Sequence, residues 1–256
     1  MESGQELGAQ WQYGKLASLA YQLDKPIGTS FGDVELYQGL LSGVTGEVLE
    51  PAVGTGRMLI PLLEQGLRVR GYDPSADMLA VCRANCAARG LDPVLFQADM
   101  VSFSDPGTFA AVVIPAGSFA LLAGRDRAAA ALHNIRESLA PAGRLIVDVE
   151  PPQLLPDQPP LRHWWHGDEL LTLTGHNQTD AVTQRTTGWL RYELWRDGEL
   201  ARTELQLFTL QWYGLGEFTA MLREAGFRQV TVHADYQPGQ HPADGGRVWT
   251  FEATRD

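Results

Sequence analysis

The chain is short of cysteine, of positive charge and of long apolar runs, and each shortage removes a class of function. It holds two cysteines, Cys82 and Cys86. Four residues apart, they fall on one face of a predicted helix. Two thiols without nearby histidines suit packing better than metal binding, so no metal is expected and a reduced, cytoplasmic setting is. The formal net charge is −11. A general nucleic-acid binder carries a basic face, so duplex or ribosomal RNA is a disfavoured partner. The longest apolar runs fall far short of a membrane span, and no membrane partner is expected. The first ten residues, MESGQELGAQ, lack the basic start and apolar stretch of a secretory leader. What the chain does have is length, 256 residues, and 44% hydrophobic content, enough for one sizeable core and a smaller appended unit.

The stretch from Glu47 to Asp73, EVLEPAVGTGRMLIPLLEQGLRVRGYD, organises the rest. Val48 and Leu49 suit a buried strand. Gly54 and Gly56 permit a sharp turn and close approach of a ligand to the backbone. Residues 57–65 carry apolar side chains at 58, 59, 62 and 63, a helical spacing, and Gly66 fits the stop. Leu67, Val69 and Gly71 then lead to Asp73 at the tip of a second strand, where an open parallel sheet presents its ligand crevice. A dinucleotide fingerprint needs glycine where Leu59 stands, and a phosphate loop needs Gly-Lys-Ser/Thr. Neither is present. What stands here is Glu50, Ala52, Gly54 and Gly56 in the pattern acid-x-small-x-Gly-x-Gly. It resembles motif I of the class I S-adenosylmethionine-dependent methyltransferases of small-molecule type, with alanine at a position usually held by glycine.

The remaining chain extends that resemblance. Trp11 to Tyr21 has near-helical apolar spacing, broken at Asp24-Lys25-Pro26, and Asp33 is placed to cap a helix running to about Ser42. This segment, residues 1–45, carries Tyr13, Tyr21, Phe31 and Tyr37. It reads either as a lid over the cofactor or as helices packed on the sheet edge. Pro74 and Asp77 open a helix running to about Ala88. Residues 94–96 form a third strand, followed by Asp99 and Met100. Residues 109–114, FAAVVI, form a fourth, and a helix over 125–139 leads through Ala140-Pro141-Ala142-Gly143 to a fifth at 144–149. Strands alternating with helices indicate a Rossmann-like, mostly parallel sheet of about seven strands. Five prolines between Pro151 and Pro160 make an extended connector. Then 169–178, 182–196 and 200–212 read as consecutive hairpin strands, with Asp197-Gly198 a strong turn signal. A helix at 215–225, a strand at 227–234 and a last strand at 247–253 resemble the antiparallel finish of the family's sheet. The expected organisation is a cofactor-binding domain of residues 46–150 and 214–256, interrupted by an antiparallel β cap at 151–213. Five of the seven tryptophans, Trp164, Trp165, Trp189, Trp195 and Trp212, lie in the cap, either as a small core of their own or as an aromatic wall over a ligand.

The resemblance implies a cofactor, S-adenosylmethionine, and a set of contacts. Backbone around Ala52, Gly54 and Gly56 would pack on its methionine part and Glu50 would hold the ammonium. Asp73, at a crevice rim, would accept from both ribose hydroxyls, since charge-assisted hydrogen bonds are the strong ones. Pro74 and Met78 would flank this site, Asp99 would accept from the adenine amino group, Met100 would lie beside the ring, and Pro115 would close the strand tip. A sulfonium methyl is already electrophilic, so catalysis needs a nucleophile held in line and water kept out. A general base is optional. His163 and His166, in His-Trp-Trp-His, are candidate bases or ordinary cap residues. Tyr21 is a third candidate, while His133 and His241 look exposed. Ile114-Pro115-Ala116-Gly117-Ser118-Phe119 lacks the Asn/Asp-Pro-Pro-aromatic signature of amino-methylating DNA enzymes and the strand-tip acid that holds magnesium in catechol-type enzymes. Metal-independent transfer to oxygen or nitrogen of a small metabolite is therefore expected, by a monomer or homodimer. The acceptor is expected between the cap, Tyr21 and the tip at Pro115 to Phe119, touching Ser118, Phe119, Trp164 and Trp165. Alternatives are methylation of a protein or RNA, disfavoured by the acidic balance, and a cofactor-binding interaction module without transfer.

Overall fold

The structure, a computed structural model, describes residues 13–151, 155–242 and 246–256. Two helices come first, α1 (Lys15–Asp24) and α2 (Asp33–Leu40). An alternating series then follows: β1 (Glu47–Pro51), α3 (Leu59–Glu64), β2 (Arg68–Asp73), α4 (Ala76–Ala87), β3 (Leu95–Gln97), β4 (Phe109–Ile114), α5 (Arg125–Ser138) and β5 (Leu139–Val149). A second sheet is made of β6 (Arg162–His166), β7 (Glu169–Asp180), β8 (Arg185–Arg196) and β9 (Glu199–Gln211), all antiparallel. The chain ends with α6 (Leu215–Glu224), β10 (Phe227–Ala234) and β11 (Trp249–Arg255). The main sheet has seven strands in the order β10-β11-β5-β4-β1-β2-β3. β11 is antiparallel to both its neighbours, and the other pairings are parallel. Trp11 lies outside the described residues.

Strand alternation distributes the core to both faces. Val112, Ile114, Leu145 and Val147 meet Ala131, Leu132 and Ile135 of α5 and Phe218 and Leu222 of α6. Ala111, Val113 and Ile146, one residue out of phase, meet Tyr37 of α2, Leu59 and Leu62 of α3, and Leu79 and Cys82 of α4. Period-two alternation with both faces covered is what makes β4 read as one continuous apolar run. Cys82 and Cys86 are free and buried in the second of these layers, so they pack.

Several expectations are corrected. β5 begins at Leu139, which pairs with Phe109; Arg144 pairs with Ala111, so residues 140–143 form a bulge inside the strand, not a turn before it. The helix after the glycine turn is shorter than read, starting at Leu59. Gly32, not Asp33, is the N-cap of α2, because the backbone there is left-handed, with φ 93°. The connector leads into β6, an edge strand missed in the sequence because RHWWH has no apolar alternation. The last strand lies two residues later than expected. The hairpin at Asp197-Gly198 has φ of 52° and 82°, both left-handed, as its turn type requires.

The second sheet is tied to the first helices. Leu171 and Tyr192 form a third core cluster with Leu16, Ala17 and Ala20 of α1. The Glu204 carboxylate on β9 accepts from the backbone N–H of Leu16 (3.1 Å) and Ala17 (3.3 Å). It thereby satisfies two of the orphan donors at the start of α1, a helix without a capping side chain of its own. Gly14 leaves room for this carboxylate, which an added Cβ would push aside. Arg162 of β6 pairs with Asp24 at the other end of α1. Among the described residues no helix is long and apolar enough to cross a membrane.

Candidate active site

The tips of β1 and β2 and the turn between β1 and α3 form a polar cradle. Ala52 (φ 52°), Gly54 (56°) and Gly56 (88°) all hold left-handed backbone. The two glycines answer different demands. A Cβ on Gly56 would press on Cys82 Sγ at 2.9 Å, so this glycine lets the turn pack on α4. A Cβ on Gly54 would meet nothing closer than the Ala52 carbonyl at 4.0 Å, which leaves open space over that residue. Asp73 closes the turn: Oδ2 accepts from Gly54 N–H (2.9 Å) and Oδ1 from Ser75 N–H (2.8 Å). Ser75 Oγ accepts from Met78 N–H and donates to the Tyr13 carbonyl, so the start of α4 is fastened to the N-terminal segment.

Asp73 is buried, 5% exposed, and not at a rim as the sequence suggested. Burial pushes its carboxyl up to about 6 against the pull of its two amide donors. Glu50 is 2% exposed, and its Oε2 has no hydrogen-bond partner among the described residues. Burial raises it well above the usual carboxylate range; Arg57 opposes the shift and Asp73 adds to it. A buried carboxyl oxygen without a donor is costly unless a ligand supplies one. An ammonium group does so and restores the charged form, so Glu50, open Gly54 and Asp73 fit a ligand that brings a cation and hydroxyl donors.

Arg57, unremarked in the sequence, braces the cradle. It is 3% exposed, pairs with fully buried Asp33 and donates to the Thr29 carbonyl at 3.1 Å. Asp33 is thus an ion-pair partner, not a cap. Tyr21 lies in the same neighbourhood: burial raises its phenol, Arg57 opposes that, and Glu50 and Asp33 add to it. Tyr13 meets Tyr21 edge to face, centroids 6.5 Å apart. Tyr13, Tyr21, Thr29 and Asp33 of the described N-terminal residues thus gather beside the cradle.

The other expected contacts are distributed around it. Pro74 is half-buried and Met78 buried at the start of α4. Asp99 is half-buried; it accepts from Val101 N–H at 2.8 Å and pairs with Arg127 at 3.3 Å. Met100 is buried in the core layer that includes Tyr72. Pro115 is buried, and Ala116 after it holds φ 54°. That strain is held by Asp148 of β5, which no local pattern singles out. Its fully buried carboxylate accepts from Ala116 N–H (2.7 Å), Tyr37 O–H (2.9 Å), Thr250 O–H (2.7 Å) and Tyr236 O–H (3.1 Å). Burial raises its carboxyl to about 6, against all four donors.

A cleft open to solvent lies beside the tips of β4 and β5. Phe119 and Ala120 from the 3-10 turn Ser118–Leu121, Val149, Glu150 and Pro151 after β5, and Thr186, Leu210, Gln211, Trp212 and Tyr213 from the second sheet and its exit line it. Of the expected acceptor contacts, Phe119 is here. Ser118 is half-buried next to it but does not line the cleft. Trp164 and Trp165 do not either. Trp164 packs on α1 with Arg162 over its ring at 4.8 Å, and Trp165 is 64% exposed. His163 and His166 are exposed on edge strand β6, away from both cradle and cleft lining, so their position gives a base nothing to act on. Neither tryptophan named for the acceptor reaches the cleft, because β6 is the free edge of its sheet.

Comparison with known proteins agrees with this geometry. Residues 48–143 match the family model described as a methyltransferase domain. The chain is 38% identical to the demethylmenaquinone methyltransferase of Thermus thermophilus over 41% of its own length, and spans about half, 47%, of that relative. The sugar N-methyltransferase KedS8 from Streptoalloteichus sp. superposes with a TM-score of 0.75 at 21% identity, covering 100% of this chain and 98% of KedS8. An S-adenosylmethionine-dependent methyltransferase from Clostridium acetobutylicum superposes with a TM-score of 0.74 at 16% identity over 94% of this chain and 97% of that one. Residues 48–143 thus match a methyltransferase domain, and the strand order and glycine turn give the chain the fold of the S-adenosylmethionine-dependent methyltransferase it superposes on.

Proposed function

We propose that the protein transfers a methyl group from S-adenosylmethionine to oxygen or nitrogen of a small metabolite held in the cleft beside β4 and β5. The observation that carries this reading is the buried Glu50 oxygen without a donor, next to Asp73 and the open face of Gly54. When bound, the cofactor supplies an electrophilic methyl on sulfur. Glu50 would hold its ammonium, Asp73 its ribose hydroxyls, and Asp99 with Met100 its adenine. Pro74, Met78, Ala52, Gly54, Gly56 and Pro115 would complete the wall.

The rest of the work falls to shape. α1, α2 and the second sheet would exclude water from the cradle and orient the acceptor, and transfer needs little more than alignment and dryness. The acceptor cleft is mostly apolar with few polar groups, as small-molecule sites are. The relatives and neighbours include enzymes named for menaquinone and sugar substrates, which supports a small acceptor over a macromolecule. The division into a lid at 1–45, a cofactor domain at 46–150 and 214–256, and a cap at 151–213 follows from this reading. Free buried cysteines fit a reduced, cytoplasmic setting.

Calorimetry tests the proposal. S-adenosylmethionine and its demethylated product should bind in the micromolar range, about 8 kcal/mol, while NAD should not bind. Binding of NAD and of neither sulfur compound would overturn it.

A further inference from the structure

Glu150 is the one charged residue among those lining the acceptor cleft. It follows β5 directly, and its carboxylate reaches over the turn after β4: a Cβ added at Gly117 would lie 3.2 Å from Glu150 Oε1. β4 neighbours β1, whose tip leads into the cofactor cradle. The carboxylate is therefore on the side of the cleft nearer the cradle. Its side chain is exposed at the cleft; partial desolvation there raises its carboxyl above the usual glutamate range, and Lys25 at the end of α1 is the charge that opposes the rise. Two further groups in the lining point to a ligand. The O–H of Tyr213, a residue 1% exposed, and the Nε1–H of Trp212 are buried without acceptors among the described residues. Both residues line the cleft, and a buried donor without an acceptor within the protein is costly unless a ligand supplies one.

We propose that Glu150 is the catalytic carboxylate of the acceptor site and that the acceptor is an amine carrying oxygen substituents, an inference that rests on the methyl-transfer reading above. Glu150 pairs with the acceptor's ammonium while Tyr213 and Trp212 donate to its oxygens. A phenolate or enolate would instead bring a second negative charge against the carboxylate, which the same geometry disfavours. An ammonium nitrogen has no lone pair, so it must lose a proton before it can attack. One N–H bond breaks and its proton passes to a Glu150 oxygen. The freed nitrogen pair forms the N–C bond with the methyl carbon, and sulfur leaves with the C–S pair as a neutral thioether. The product nitrogen carries the positive charge that the sulfonium loses, and the proton on Glu150 returns to solvent.

The test offers the full-length protein, loaded with S-adenosylmethionine, a panel of primary amino sugars, free and nucleotide-linked, and their hydroxyl counterparts. Methylated product is read by mass. Product is expected from amines and not from the hydroxyl series. With the best amine, Glu150→Gln should lower kcat about 10²–10⁴-fold, the usual contribution of a positioned acid or base, and should remove the acid limb of the kcat profile. Glu150→Asp should recover part of the rate. Tyr213→Phe should raise KM roughly 3–10-fold with kcat little changed. Cofactor affinity by calorimetry, which also reports folding, should stay within about twofold for all three variants, because none of these residues touches the cradle. Equal methylation of hydroxyl sugars, an unaltered kcat in Glu150→Gln, or no product from any amine while S-adenosylmethionine still binds would each overturn the assignment of Glu150 and leave the cofactor reading standing. Failure of wild-type protein to bind the cofactor would overturn both.

Discussion

Ala52 shows how one methyl group carries information that its position in a pattern does not. In the motif it looks like glycine plus a methyl, a mild change. In the fold it holds φ 52°, where an L side chain is strained and glycine is not. Ala52→Gly should therefore raise stability by about 1 kcal/mol, seen as a rise in Tm of about 2–4 °C for a chain of this size; an unchanged or lower Tm would show that the strain is absorbed elsewhere. Asp73 makes a second residue-scale prediction. Asp73→Ala should weaken cofactor binding by about 1.5–3 kcal/mol, the range for hydrogen bonds to a charged group. The sequence alone suggested a rim position, where removal would leave the unliganded fold little changed. Burial and two amide donors reverse that: the variant should also lower Tm. The pH dependence has two signs. The folded carboxyl sits near 6 against an ordinary 3.8, so its contribution to the unliganded fold is lost as pH rises through that window. Cofactor hydroxyls favour the ionised form, so affinity should increase as pH rises through about 6. Calorimetry between pH 5 and 8 reads the slope directly, and a flat profile would remove Asp73 from the ribose site.

At the scale of elements, what could be read from the chain was what lies close in sequence. β1, its glycine turn and β2 follow from local patterning, since strand, turn and helix each have their own period. The hairpin at Asp197-Gly198 follows from turn chemistry. What escaped was contact between distant residues. Arg57 and Asp33 are 24 residues apart, and nothing near either reveals that they meet in a buried pair. Asp148 reads as an acid in an apolar strand until Tyr37, Tyr236 and Thr250 converge on it. The clamp between α2 and the cradle should be strong to break: Asp33→Ala leaves the Arg57 guanidinium buried and unpaired, a loss of about 3–5 kcal/mol, measurable by denaturant unfolding. The contact between β9 and α1 is gentler. Glu204→Ala should cost about 1 kcal/mol, as loss of a helix N-cap does, and should speed amide hydrogen exchange in α1 while leaving the β7–β8 ladder protected. Equal loss in both would mean that α1 and the second sheet open as one unit.

For the whole molecule, the second sheet is less separable than a cap would be. Tyr213, just past β9, is buried in the same core layer as α5 and α6, so an excision must stop before it. α1 rests on this sheet, and Tyr13 just before it accepts from Ser75 at the start of α4. Deleting residues 161–211 with a short bridge should therefore abolish methyl transfer and also weaken cofactor binding, because the N-terminal cover loses its support. Cofactor affinity unchanged from wild type would show that the cover stands alone. The Glu204 contact has a further consequence for how the chain is made. The amide of Leu16 waits for a carboxylate 188 positions downstream. At about 5–20 residues per second, a ribosome needs roughly 10–40 s to bring that partner out. α1 is thus seated long after it is made, and for that interval an apolar face of Leu16, Ala17 and Ala20 stays open to whatever else in the cell can cover it.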